Sequence, residues 1–454
     1  VKTRQQVAAA GGEVTVDFYL INEKNVRGNH QLKISVTDSQ GKVMEVGTYE
    51  TEAAGGEVYG QLLVKDVKIP VPTAGGLCRI EAKLCKENSV VTTGYDDILS
   101  VNLASNMLDG KGAVWEDGSA LQNFLKGKTK EAVAAYEDNL GKLDWIMVAR
   151  PPRKDQLTMV PMEALRSADG KPGLDVVYYE DMEFQKEVYH EVAKVVNLSA
   201  IEGATPSPFV YMLDGYGIKW SGKVLPSVSG EYTIIPQSND RSMIEVFVNG
   251  KKIYEITRKK EHLGDGKVYL EGGKSADIEI RFRHPRSNAR CRLDWAVPND
   301  KMPDAQRLME RAVNDGTKIF IIQSADEWSE FIAVNSKAVF KDKFFVGTNW
   351  LGGVMFNKPH DIFKELPVGN ALNWPYQALI HTGVERMGLV MEGEELLVGA
   401  YHTYPMAIGT AMGIVPMGKG SVLFSTLDIY GNIINDSAAG LVAKKLIFNM
   451  IDFK

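Results

Sequence analysis

A chain of 454 residues, 44% hydrophobic and 24% charged with a net charge of -6, has the length of about three domains. Its mildly acidic balance and lack of a basic stripe exclude a nucleic-acid partner. No run of ~18 apolar residues is present, which excludes a helical membrane span.

Residues 1–104 alternate apolar and polar side chains between Gly and Pro turns. "EVTVDFYLIN" sets Val14, Val16, Phe18 and Leu20 on one face, and "HQLKISVTD" does the same with Leu32, Ile34 and Val36. Short alternating strands of this kind predict a β-sandwich of immunoglobulin size. Cys78 and Cys85, seven apart in "CRIEAKLC", fall on opposite faces of one strand, roughly 23 Å apart, too far to bridge. With Cys291 they make three scattered cysteines, giving no disulfide framework and no CxxC metal pair.

The period changes near residue 105. "GAVWED" reads as a buried strand, "SALQNFLKG" as a helix, and "TKEAVAAYEDNLGK" as a helix with Thr129 at its N-cap and Gly141 at its stop. "LDWIMVA" is a further buried strand, so the pattern is β-α-β. From residue 172 to 298 the pattern is all-β again. Helix-strand alternation resumes with "PDAQRLMERAVNDG", closed by Gly316, then the strand "KIFIIQ", a helix opened by Ser324, the strand "GSVLFSTLD" and the amphipathic "DSAAGLVAKKLIFNMIDF". The organisation expected is a sandwich over 1–104, one α/β domain split into 105–171 and 299–454, and a β-sandwich insert over 172–298. Insertion at an exposed loop makes such an order physically reasonable. The chain opens at Val1 with no signal-peptide core, which is read as a processed chain or a piece of a larger one.

Three stretches resemble known families. The order "GLDVVYYEDMEF", "GYGIKWSGKVLPSVSGEYTI", "SNDRSMIEVFVNGKKIYE" and "IEIRFRH…CRLDW" resembles the protective-antigen-type sandwich of carbohydrate-active enzymes and adhesins. "VTVDFYLINEKNVRG…LKISVTDSQGKV" is similar to the immunoglobulin-like domain behind the catalytic barrel of glycoside hydrolase family 2. "HDIFKELPVGNALNWPYQ" and "MGKGSVLFSTLDIYG…AKKLIFNM" resemble the glutamine-amidotransferase-like, flavodoxin-like domains of some sugar hydrolases. Together the resemblances imply a non-catalytic accessory region of a β-galactosidase-like glycoside hydrolase. They imply scaffolding and glycan contact, a catalytic barrel elsewhere in the parent chain, a homo-oligomer as a further partner, and a periplasmic or extracellular setting. The alternative is a free-standing glycan- or protein-binding adhesin module.

The residues agree that chemistry lies elsewhere. Asn22-Glu23, the motif of a family 2 acid/base, ends a sandwich strand with no eightfold β-α repeat around it. The α/β segments hold no cysteine for an amidotransferase thiolate, and GxSxG, GxGxxG and GxxxxGK[ST] are all lacking. None of the seven histidines forms HxH or HExxH. No catalytic and no metal residue is therefore assigned. In the protective-antigen-type family paired aspartates at the positions of Asn239 and Asp240 chelate calcium and a sugar. Here Asn239 replaces one carboxylate and Arg241 adds a positive charge, which argues against calcium at Asp240, so no cofactor is expected. Candidate glycan contacts are the loop residues Asn239, Asp240 and Arg241, the aromatics Tyr216 and Trp220, with Trp295 and Asp294 beside them, and, in "GTNWLGG" and "NALNWPYQ", Trp350, Trp374 and Tyr376.

Overall fold

The computed structural model describes the chain apart from residues 57, 88, 104–106, 153–156, 200–205, 207–213, 239–240, 287–288, 299–302, 347–352, 382–386, 404–405, 434–437 and 454. Strand outweighs helix, 51% to 14%, which makes the fold mostly β. The chain divides into two compact units, one of residues 1–108, 356–378 and 435–454, the other of 109–355 and 379–434.

The first unit is built on a sandwich. One sheet has three strands, Lys2–Thr3, Glu13–Ile21 and Gly60–Pro70; the other has five, in the order Val7–Ala9, Ser89–Val101, Gly76–Lys86, Gly28–Thr37, Val43–Ala53. Val14, Val16, Phe18 and Leu20 pack inward with Leu32, Ile34 and Val36, as strict alternation requires. The two cysteines of "CRIEAKLC" depart from it. The register shifts between Leu84 and Cys85, so consecutive residues both turn inward and Cys78 and Cys85 are each buried and free. The closing helix, Ala438–Asp452, belongs to this unit rather than to the α/β segments. Lys445, almost wholly buried, holds it there with Nζ 2.6 Å from Glu365 Oε2 and donating to the Asn102 carbonyl at 3.1 Å.

The second unit contains a mixed sheet. Five strands are parallel, in the order Ala134–Ala135, Gly112–Glu116, Trp145–Ala149, Lys318–Ile321, Gly420–Ser425. Three more continue it antiparallel, Ala407–Met417, Met387–Glu392 and Val339–Phe345. The expected flavodoxin-like layout is not what forms, because this antiparallel extension continues the parallel strands, and of the two helices expected between Gly112–Glu116 and Trp145–Ala149 only the first, Ala120–Leu125, is present. The segment "TKEAVAAYEDNLGK" is turns and a two-residue strand. Arg311 holds the end of this segment: its guanidinium donates to the carbonyls of Asp138, Leu140 and Gly141 and to the Tyr136 hydroxyl. Arg311 itself sits on the expected helix Ala305–Asp315, capped by the Asp304 carboxylate and ended by Gly316 at φ 79°.

The same unit carries a second sandwich. Its larger sheet runs Glu187–Ala193, Leu174–Tyr179, Tyr216–Val224, Ala276–His284, Met243–Val248, Lys251–Ile256, His262–Leu263. The smaller runs Thr158–Met159, Arg290–Ala296, Gly230–Ser238, Lys267–Leu270, with Asn197–Ser199 also on Arg290–Ala296. Its first strands thus precede residue 172. Gly230–Ser238 and Met243–Val248, consecutive strands, belong to opposite sheets. No helix among the described residues is long and apolar enough to cross a membrane.

Candidate functional site

Two of the clefts in the second unit adjoin its sandwich. The first, about 400 Å³, is lined by Gln237, Ser238, Ser242, Tyr254, Lys260 and His262 with an apolar floor that includes Ile235 and Leu157. The Tyr254 hydroxyl stands 2.5 Å from Nδ1 of His262, with the rings edge-on at 80°. Burial pushes the Tyr254 phenol above its ordinary pKa, so it stays a neutral donor-acceptor. Beneath, the Ser242 hydroxyl lies 3.1 Å from Nδ1 of the fully buried His284. An aromatic body, hydroxyls and an amide around an apolar floor form a surface that can stack a ring and bond its substituents.

The second cleft, about 110 Å³, lies at the carboxyl ends of two parallel strands, where Gln323 and Ser324 follow Lys318–Ile321, and Thr426 and Asp428 follow Gly420–Ser425. Such strand ends are where open α/β sheets hold ligands. Ser324 starts the helix Ala325–Val334 in the left-handed region, φ 54°, and its side chain makes no cap bond. Asn197 and Arg292 enter from the sandwich side. Arg292 is held bidentate by Asp294, both bonds 2.7 Å.

Tyr430, on the wall of the second cleft, donates its hydroxyl to Glu116 at 2.8 Å, and the same carboxylate accepts from the amides of Leu121 and Gln122. Desolvation, opposed by these bonds, raises the Glu116 pKa above its ordinary value. A carboxyl raised on folding favours the folded state below the unfolded pKa and loses that contribution as pH rises through the folded pKa. Wild type is therefore expected to gain stability relative to Glu116→Gln as pH falls from 7 toward 4, measured by urea unfolding at each pH.

The residues expected to touch sugar are dispersed. Asn239, Asp240 and Trp350 lie outside the described residues, and Arg241 is exposed beside the first cleft's Ser242. Tyr216 and Trp220 are core residues, 1% and 3% exposed, packed around Phe282. No sugar reaches a ring sealed between two sheets, which removes both as contacts. Trp295 is likewise in the core, and Asp294 is buried against Arg292. Tyr376 is 2% exposed and spends its hydroxyl on the Pro367 carbonyl and Asn357; Trp374 is half-buried in the same 3-10 turn. Both belong to the first unit. Tyr254, His262, Gln237, Asn197 and Arg292 were missed. Alternation in "CRLDW" sets Arg292 opposite the core side chains, but only the fold sets Asn197 beside it. Among the described residues no group of three His, Cys, Asp or Glu side chains gathers as a metal site.

Residues 170–307 match the PA14 domain. That span covers most of the second sandwich, so the first cleft sits in a domain of this kind. The anti-sigma-I factor RsgI3 of Acetivibrio thermocellus is 28% identical over 127 residues, 27% of this chain and 19% of that protein. The chain thus spans about a fifth of the curated relative it matches. Among solved structures, a β-glucosidase from Kluyveromyces marxianus is 13% identical over 50% of this chain and 30% of its own, at a TM-score of 0.34. The epithelial adhesin 9 A domain of Candida glabrata, in complex with Galb1-4GlcNAc, is 12% identical over 33% of this chain and 90% of its own, at 0.24.

Proposed function

We propose that this chain is a non-catalytic accessory region of a carbohydrate-active enzyme, a glycoside hydrolase acting outside the cytoplasm, and that its PA14 domain holds a glycan in the cleft lined by Tyr254 and His262. The observation that carries the reading is the Tyr254–His262 wall over an apolar floor, inside the residues that match PA14. The exposed ring of His262 offers a stacking face, while the Tyr254 hydroxyl, Gln237, Ser238 and Ser242 meet hydroxyls. The parent's barrel, its oligomeric contacts and its setting are parts of the same proposal, carried by the resemblance of the sandwich. No calcium is invoked, since the role falls to neutral side chains.

Isothermal titration with glycans chosen from an array screen tests it. Binding is expected to persist in EDTA and to weaken about 10-fold or more in His262→Ala, with Tyr254→Phe losing less. Full affinity in both variants, or no binding by any glycan, would overturn the reading.

A further inference from the structure

The two clefts share a wall. Leu157 lines both, and a row of polar side chains runs between them. In the strand Arg290–Ala296, Cys291, Leu293 and Trp295 fill the sandwich core, so Arg292 faces the other way. Asn197, next to core Leu198, is its cross-strand neighbour on one side. Gln237, next to buried Pro236, is its neighbour on the other. Gln237 lines the first cleft; Arg292 and Asn197 line the second. Two strand spacings set Gln237 and Asn197 about 10 Å apart, a span longer than one pyranose ring.

Resting on the glycan reading above, we propose that the two clefts are subsites of one groove and that the ligand is a neutral oligosaccharide. It runs from the Tyr254–His262 subsite across the Gln237–Arg292–Asn197 row to Ser324. Asn197 Oδ1 is buried and, among the described residues, has no hydrogen-bond donor, and a buried acceptor in that state calls for a hydroxyl. The Ser324 hydroxyl, unused in capping its helix, adds a donor-acceptor at the far end. Charge argues for neutrality. Arg292 is balanced by Asp294 and Asp326 by Lys343, so Arg292 carries no unmatched charge to hold an anion, and a polyol needs none.

The test uses the full chain and isothermal titration with two chain-length series, glucose to cellotetraose and galactose to β-1,4-galactotetraose. In the series that binds, the tetrasaccharide is expected to bind at least about 10-fold tighter than its monosaccharide, equivalent to one or two buried hydrogen bonds. Asn197→Ala and Ser324→Gly, the latter tolerating φ 54°, are each expected to shrink that preference and to leave monosaccharide affinity unchanged. A tetrasaccharide no tighter than the monosaccharide would sink the groove and leave the single-cleft reading standing. Preference intact in both variants would sink the groove as well, and failure of every sugar would sink both readings.

Discussion

Trp328→Ala is expected to cost about 4 kcal/mol of stability, the scale of deleting a fully buried large aromatic. Trp328 is 0% exposed, edge-on to Trp115 at 5.6 Å, and donates Nε1–H to the Arg150 carbonyl at 2.7 Å. The substitution therefore opens a cavity and also strands a buried carbonyl. Trp328→Phe fills most of the space without the donor, so a smaller loss is expected there. Equilibrium urea unfolding, followed by tryptophan fluorescence and circular dichroism, measures both. A loss under ~1 kcal/mol in Trp328→Ala would contradict the packing described, because that is the range of surface changes.

Arg311→Ala is the second large effect. It removes four donated bonds to one segment, and a bond from a charged donor contributes roughly 1.5–3 kcal/mol. Because bonds to one segment fail together rather than additively, about 3 kcal/mol is the expected total. The damage is local: amide exchange over residues 130–142 should accelerate while the sandwich strands keep their protection. Arg311→Lys recovers little, since one ammonium cannot reproduce a planar fork. Equal acceleration across the whole unit would refute the clamp.

That clamp also marks where reading the sequence stops. "TKEAVAAYEDNLGK" carries a helical stripe, and intrinsic propensity favours a helix there. Its end is instead held by a residue that lies more than 160 positions away, on another element. Local pattern fared better where one face decides the outcome. Val14 to Leu20 and Leu32 to Val36 alternate, and their burial follows. The same logic puts Tyr216 and Trp220 on the face of Ile218, inside the sandwich, so their loss as sugar contacts was itself legible in "YGIKW". What alternation cannot give is which sheet a strand joins. Gly230–Ser238 and Met243–Val248 look like neighbours of one meander, yet they part to opposite layers. Asn197, Arg292 and Gln237 come from three separated stretches, and their alignment is a property of register alone.

The Lys445 attachment bears on how the chain assembles during synthesis. The carbonyl it reaches, at Asn102, lies 343 residues earlier. A ribosome thus releases the amino-terminal strands long before the helix that is to lie beside them. Until then that part of the sandwich surface waits unprotected, and closing so long a loop adds an entropic cost and slows completion. A prematurely terminated chain would carry intact strands and an uncovered patch, the kind of species that recruits chaperones or sticks to its own kind.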